Sequence, residues 1–391
     1  MTIKEELEIL RGEPIVVFDG NPMDIPCIET SDCDKLCKHP VVSVHMITYN
    51  HEPYIRQAIE GVLMQKTDFE YELVIGEDCS QDRTREICLE YQKKFPDKIR
   101  VLWWYENVTN LGGNARRVSA HCRGDFIAFC EGDDYWIDPM KLQKQVEAMR
   151  RHPSAGICFC DARMYYQSED RFEDRLCAEI GVGLIPGRKF LLYHLFGKDP
   201  SRDPGDAGFV MTATVMVRMQ AFLAASKEYE VFKWGLWLGD KVLLYGVSSL
   251  FDVIHLEDKV SVYRRASTGI MTTRAPRVLL DSALLRMYFP TVVLKLNPFS
   301  LPEYTLFQYV SSAYGLFMNV KLASLVRTIF GVFRTRFRSL LFRRRFTLFW
   351  VGLHIILVEQ IYRRVVRRLS PEIPWRVPRA VVRLYKTYNK S

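Results

Sequence analysis

Apolar and polar residues begin to alternate in blocks at about position 41. Residues 41–48 (VVSVHMIT) are mostly apolar and predict a strand. Residues 53–66 follow with Ile55, Ile59, Val62 and Leu63 at helical spacing, and Pro53 suits a first helical turn. The alternation continues through a strand at 71–75 and a helix at 82–94, with Ser80 or Asp82 as its cap and Pro96 just beyond its end. A strand at 99–104, a helix at 114–122, a strand at 126–130, a helix through about 151 opened by Asp138-Pro139, and a strand at 156–160 come next. This order predicts an α/β fold, a mostly parallel sheet with helices on both faces. The pattern then loosens. Residues 161–209 carry Gly and Pro punctuation and predict loop with short helices. Residues 210–217 (VMTATVMV) predict a strand, 234–245 a helix, 253–262 mixed strand and turn, and 279–320 apolar helix with proline breaks. There is no internal repeat.

Three regions follow: a prelude at 1–40, an α/β domain at 41–275 (halves 41–165 and 166–275), and a helical, basic C-terminal region at 276–391. The 391 residues are enough for a large domain with an extension, and 48% hydrophobic with 26% charged residues is an ordinary globular composition. The formal net charge of +8 hides an asymmetry. Residues 326–391 hold 16 Lys and Arg against Glu359 and Glu372, a net +14, so the body is mildly acidic. Arginines at 334, 336, 338 and 343–345 precede the apolar run 346–358, and four more follow at 363, 364, 367 and 368. That run of about 13 residues is too short to span a bilayer, which takes about 20. It predicts a segment lying on an anionic membrane surface, with a solvated helical face as the bland reading. No recognised nucleic-acid motif accompanies the charge, so no nucleic-acid partner is expected.

The ten cysteines are scattered, several of them in apolar runs, which fits buried free thiols in a reducing compartment. Cys27, Cys33, Cys37 and His39 match no zinc-ligand spacing and are read as loop residues. The opening MTIKEELEIL lacks the basic head and apolar core of a signal peptide. A cytoplasmic protein, peripheral at the inner face of the membrane, is the expectation.

In open α/β sheets ligands lie beyond the carboxyl ends of the strands. The residues there are Tyr49-Asn50-His51, Gly76-Glu77-Asp78-Cys79-Ser80-Gln81-Asp82, Glu106-Asn107 leading to Gly112-Gly113, and Glu131-Gly132-Asp133-Asp134. Carboxylates crowded on one edge repel one another unless a hard cation joins them, and Mg²⁺ or Mn²⁺ with substrate phosphates fits that set. Asp78 is equally a turn residue, Asp82 reads as a helix cap, and His51 reads as a loop histidine. Asp133 and Asp134, beside an apolar strand, read as functional. The first strand is followed by TYNHEP, so neither a G-x-G-x-x-G dinucleotide site nor a P-loop is present.

From 41 to about 165 the chain resembles family 2 glycosyltransferases, with the match extending more weakly to about 271. VSVHMITYN is similar to the family's opening strand and nucleotide loop, ELVIGEDCSQDRT to its second strand, and NLGGNARRVSAHCRGDFIAFCEGDDYWIDP to its N-x-G-x-x-x-A-R segment and D-x-D region. The resemblance implies a GT-A-like, Rossmann-related sheet and transfer of a sugar from a nucleotide-diphosphate donor, UDP-sugar favoured, to an acceptor hydroxyl with inversion. It implies that Thr48, Tyr49, Asn50 and Asp78 line the nucleoside pocket, with Gly112 and Arg116 on the donor. It also implies that Asp133 contacts the ribose and that Asp133 and Asp134 hold Mn²⁺ or Mg²⁺. WGLWLGDKVLLYG places Asp240 where the family has its catalytic base, with a helix cap as the alternative. VSVYRRASTGIM is similar to a Tyr-Arg-x-His segment, with Ala266 in place of the histidine. Glu77, Cys79 and Glu131 depart from the family's usual Asp, Gly and Asp. The implied acceptor is a glycan or lipid-linked glycan of cell-surface polysaccharide or glycolipid assembly. Trp234 and Trp237 could stack on sugar rings or pack in the helix core. A glycoside hydrolase would need no nucleotide loop and fits poorly. A non-catalytic nucleotide-sugar or glycan-binding protein with a decayed site is the alternative.

Overall fold

The computed structural model describes residues 24–108, 113–177, 180–196, 210–228 and 239–266. Gly112, Trp234, Trp237 and the whole basic region from 276 onward lie outside the described residues. One sheet of eleven strands organises the described chain. In chain order the strands are β1 (Ile28–Thr30), β2 (Val42–Thr48), β3 (Tyr71–Glu77), β4 (Ile99–Trp103), β5 (Phe126–Phe129), β6 (Tyr135–Trp136), β7 (Ala155–Tyr166), β8 (Arg171–Arg175), β9 (Gly183–Ile185), β10 (Met216–Arg218) and β11 (Asp252–Arg265). The described helices are α1 (Ile55–Leu63), α2 (Thr84–Lys94), α3 (Gly113–His121), α4 (Lys141–Arg151), α5 (Gly187–Phe196), α6 (Met219–Glu228) and α7 (Gly239–Ser248).

The spatial order is β1-β4-β3-β2-β5-β10-β7-β11-β6, with β8 on β7 and β9 on β11. β4, β3, β2 and β5 pair in parallel, and β7 pairs with β11 in parallel. The short β10 lies antiparallel between the two sets, so β7 and β11 run in the same direction as the first four. Six strands, including the longest, therefore end on one edge, and this is the GT-A-like mixed sheet. Its two faces carry separate cores. Ile55, Ile59 and Val62 of α1, Ile87 and Tyr91 of α2, and Leu142, Val146 and Met149 of α4 pack on one face. Val118 of α3, Phe190 and Leu191 of α5, Ala221 and Ala225 of α6, and Val242–Tyr245 of α7 pack on the other. Burial on both faces is why the central strands read as continuous apolar runs.

Several expectations needed correction. Residues 210–217 form a 3₁₀ turn (Thr212–Thr214) before a strand of three residues. Residues 253–262 belong to one continuous strand, β11. β7 runs six residues past position 160, and the expected loop beyond it contains β8, β9 and α5. β1, from the prelude, pairs antiparallel with β4 and closes that edge of the same sheet. All ten cysteines are free. Among the described residues no helix is long and apolar enough to cross a membrane.

The overrun of β7 shapes the site. Met216 is level with both Ala128 of β5 and Cys158 of β7. β5 stops one residue later, whereas β7 continues to Tyr166 with β11 alongside through Arg265. At roughly 3.3 Å per residue the β7–β11 pair projects about 20 Å beyond the sheet edge. β6 leaves the end of β5 and pairs with this wall at Ser261 and Val262. The segment 130–134 therefore bridges from the sheet to the wall.

Candidate active site

Loops from β2, β3 and β5 meet at the carboxyl edge. Thr48 ends β2 and is buried, and its carbonyl accepts the Asp78 N–H at 3.1 Å. Tyr49 is exposed. Asn50 has φ +54, a left-handed conformation that asparagine tolerates. Its N–H donates to Ser80 Oγ at 3.0 Å, and its Oδ1 accepts the Gln81 N–H at 2.8 Å, which ties the β2 and β3 loops together. Asp78 is buried and its Oδ1 accepts the Val108 N–H at 2.8 Å, so its carboxylate at least holds the loop after β4. Asp82 accepts the Thr84 N–H at 3.0 Å at the start of α2 and the Glu52 N–H at 3.0 Å. Glu77, in the place of the family's first Asp, is fully buried. It accepts Arg85 Nε at 2.5 Å and the Ser80 N–H at 2.6 Å. Cys79, in the place of a glycine, has φ +63.

Arg116 is half-buried on α3, whereas its neighbour Arg117 is fully buried. Arg117 donates to the Glu77 carbonyl at 2.9 Å and to Asn114 Oδ1 at 2.8 Å. Arg117 is thus a fold residue that sequence reading passed over. Gly76 is required beneath it, because a Cβ there would lie 2.5 Å from Asn114 Oδ1 and 2.3 Å from a Val118 methyl.

The acidic loop is the electrostatic centre. Burial, then the charges of Asp133 and Asp240, pushes the Glu131 carboxyl up to about 8 against a hydrogen bond with Thr212. Burial, then Asp133 and Glu131, raises Asp134 well above the usual carboxylate range, opposed by the Arg264 N–H and charge. Asp240 lies in the first turn of α7, and burial raises it despite Lys241. All four of these acids act on the Tyr263 hydroxyl, which burial and their charge raise far above its ordinary value. The structure therefore brings Asp240 into the electrostatic neighbourhood of Glu131, across about 110 residues of sequence. Asp134 is 3% exposed, and its Oδ1 accepts the Arg264 N–H at 2.8 Å. The Asp133 side chain is 29% exposed, and its Oδ2 lies 3.9 Å from His51 Nε2. Of the two adjacent acids, Asp133 is the one that reaches solvent.

Three buried atoms beside this loop have no hydrogen-bond partner: Thr48 Oγ1, His51 Nδ1 and Glu131 Oε2. Thr48 Oγ1 and His51 Nδ1 both close on Gly132, where an added Cβ would lie 2.5 and 2.9 Å from them. Sequence reading treated His51 as a loop residue, and nothing in the pattern marked Thr212.

Among the described residues, no group of three or more His, Cys, Asp or Glu side chains is arranged to hold a metal ion by itself. The oxygen donors present fit a hard cation that is held by one or two carboxylates and completed by substrate phosphates, the usual habit of Mg²⁺.

Residues 43–222 match the Glycosyl transferase family 2 model. Over 126 residues the chain is 40% identical to the uncharacterized protein Rv1520 of Mycobacterium tuberculosis, a stretch that covers 32% of this chain and 36% of that protein. Over 116 residues it is 34% identical to the putative teichuronic acid biosynthesis glycosyltransferase TuaG of Bacillus subtilis, covering 30% of this chain and 44% of that one. These matches span less than half of either relative's length. Among solved structures the chain is similar to S. aureus TarS 1–349, with TM-score 0.46 and 17% identity over 80% of this chain and 78% of that one. It is also similar to the mannosyltransferase PcManGT of Pyrobaculum calidifontis in complex with GDP-Man and Mn²⁺, with TM-score 0.45 and 12% identity over 94% of each chain. Residues 43–222 are thus similar to family 2 glycosyltransferases, and they lie on a mixed, mostly parallel sheet with helices on both faces.

Proposed function

We propose that the protein transfers a sugar from a nucleoside-diphosphate donor, with UDP-sugars favoured, to a hydroxyl of a glycan or lipid-linked glycan, with inversion at the anomeric carbon. One observation carries this reading. Four carboxylates from two distant segments and three unpartnered buried polar atoms share one edge of the sheet. An unsatisfied buried polar atom costs about 1–3 kcal/mol, and a bound ligand offsets that cost.

In this reading Thr48, Tyr49, Asn50 and Asp78 shape the nucleoside pocket, and Arg116 faces the diphosphate. Asp133, backed by Asp134, holds Mn²⁺ or Mg²⁺, which when bound supplies positive charge against the departing diphosphate. Asp240 accepts the proton of the attacking hydroxyl, and its burial-raised pKa makes it a better base than a solvated carboxylate. A single displacement from the face opposite the leaving group inverts the centre. The similarity to TuaG, a putative teichuronic acid biosynthesis glycosyltransferase, supports polysaccharide assembly as the setting. The basic segment 326–391 is assigned to an anionic membrane surface at the inner face of the cell membrane. Sedimentation with anionic liposomes at low salt, reversed by high salt, is the expected behaviour. Failure to sediment would remove that assignment.

The test of the function is a thermal-shift screen of UDP- and GDP-sugars with and without Mn²⁺. Stabilisation that needs both donor and metal, and that disappears in Asp133→Ala, is expected. A protein that responds to no nucleotide sugar sinks the reading.

A further inference from the structure

Arg264 makes more connections at the acidic loop than any role yet given to it requires. Its backbone N–H donates to Asp134 Oδ1 at 2.8 Å. Its Nε donates to the Asp133 carbonyl at 3.0 Å, and its Nη2 donates to Gln57 Oε1 on α1 at 2.7 Å. The guanidinium lies 4.8 Å from the ring centre of Tyr54, 5.2 Å from that of Tyr135 and 5.7 Å from that of Tyr165. One side chain on the projecting wall therefore grips a loop about 130 residues away and ties it to the first helix.

We propose that Arg264 is the positioning residue of the acidic loop: its backbone N–H anchors Asp134, and its side chain fixes the Asp133 carbonyl and so keeps Asp133 as the ligand-facing acid. The proposal rests on the donor and cation reading above, and goes beyond it by assigning what sets the loop. The geometry gives the reason. Gly132 and Asp133 form a turn that the Asp134 N–H closes by donating to the Glu131 carbonyl at 3.1 Å, and in it Asp134 is buried while Asp133 reaches solvent. With Asp134 drawn onto the Arg264 N–H, the Asp133 carboxylate is turned outward toward His51. The Asp133 carbonyl, fixed by Nε, then cannot rotate the pair back. The fork of a guanidinium is needed because Nε and Nη2 serve different partners in one plane. A lysine offers a point charge with no such fork. The rings of Tyr54, Tyr135 and Tyr165 add cation–π attraction that helps hold the guanidinium in place. The overrun of β11 past the sheet edge is what brings this side chain to the loop.

Two variants and two measurements decide the matter. Hydrogen exchange of the ligand-free protein reads the grip directly. In Arg264→Ala the amides of residues 131–136 should exchange at least tenfold faster, while the amides of β2 and β3 keep wild-type rates. In Arg264→Lys, which keeps the charge and most of the stem, the same amides should speed up several-fold. Unchanged exchange at 131–136 in both variants overturns the proposal, whether or not the protein binds any nucleotide sugar. If Arg264→Ala does not fold, Arg264→Lys alone carries this reading. The second measurement is the Mn²⁺ concentration giving half of the donor-dependent thermal shift. It should rise about tenfold or more in Arg264→Ala and less in Arg264→Lys, with nucleotide binding in the absence of metal little changed. A wild-type protein that binds no donor defeats the functional reading and leaves the exchange result to judge Arg264. A wild-type protein that binds donor, with variants of unchanged Mn²⁺ requirement, defeats the proposal about Arg264 alone.

Discussion

The two ends of the same parallel strands carry opposite kinds of polar chemistry. At the amino edge, Glu72 at the start of β3 is buried, yet every bond it can make is made. It accepts Ser43 Oγ at 2.6 Å, Arg123 Nη2 at 2.6 Å and Nε at 3.0 Å, and Arg100 Nη1 at 3.2 Å. Arg100 also pairs with Glu29 of β1 at 2.8 Å, which draws the prelude onto the sheet. At the carboxyl edge acids outnumber cations, carboxyls are pushed toward neutrality, and buried atoms lack partners. The backbone there is also held in left-handed conformations at Asn50 and Cys79. A network that is complete stabilises the fold, and one that is incomplete is built for something that arrives.

That contrast is sharpened first at Asp240. Asp240→Asn should lower turnover by about 10²–10⁴, the usual worth of a general base, with donor affinity barely changed. Stability should hold or rise, because burial already disfavours the charged form. Initial rates with acceptor and urea unfolding read the two effects. Loss of donor binding with turnover retained would place Asp240 in the nucleotide pocket instead. Next in size is Glu72→Gln at the other edge. Removing one partner of a buried ion network costs about 3–5 kcal/mol. Any folded fraction should bind donor with wild-type affinity. A weakened donor affinity at equal folding would break the division between the two edges.

Protonation gives a smaller effect. Folding raises the Glu131 carboxyl from 4.5 to about 8. Between those values the folded state holds a proton that the unfolded state has released. Stability of the ligand-free protein therefore falls as pH rises through that window, and is full below it. Coupling to Asp133 and Asp240 discounts the slope, leaving about 1–2 kcal/mol between pH 5 and 8. Glu131→Gln should flatten that part of the stability profile, measured by urea unfolding across the range. An unchanged slope would exclude Glu131 as its source.

The same edges explain what was legible in the sequence. β2, β3, β4 and β5 were read because both of their faces are buried and they form apolar runs. Their carboxyl ends then gave the acids by a general rule of α/β sheets. The extension of β7 reads DARMYY, where the only buried apolar residues are Ala162 and Met164, in a small cluster with Met211, and β8 reads RFEDR with no buried residue, so neither forms the continuous apolar run of the central strands. β1 and β6 have three and two residues, too few to show a period. The acids were local and visible. Their partner Arg264 was not, since its bonds to Asp133 and Asp134 join residues about 130 apart and follow from register alone.

The smallest expected effect lies at Cys79, where the carboxyl edge holds backbone strain. A non-glycine residue in the left-handed region costs about 1–2 kcal/mol, and the residue with φ +63 here is a cysteine. Its thiol donates to the Tyr105 carbonyl at 3.0 Å, a weak bond that returns part of the cost. Glycine relieves the strain but enlarges the unfolded ensemble by roughly 0.5–1 kcal/mol. The two terms leave Cys79→Gly stabilising by a few tenths to about 1 kcal/mol, readable as a shift in urea midpoint at constant slope. At the amino edge no comparable gain is available, because the partners of Glu72 are already satisfied. A loss of stability in Cys79→Gly would show that the thiol–carbonyl bond outweighs the strain. The carboxyl edge would then be held as completely at this loop as the amino edge is at Glu72.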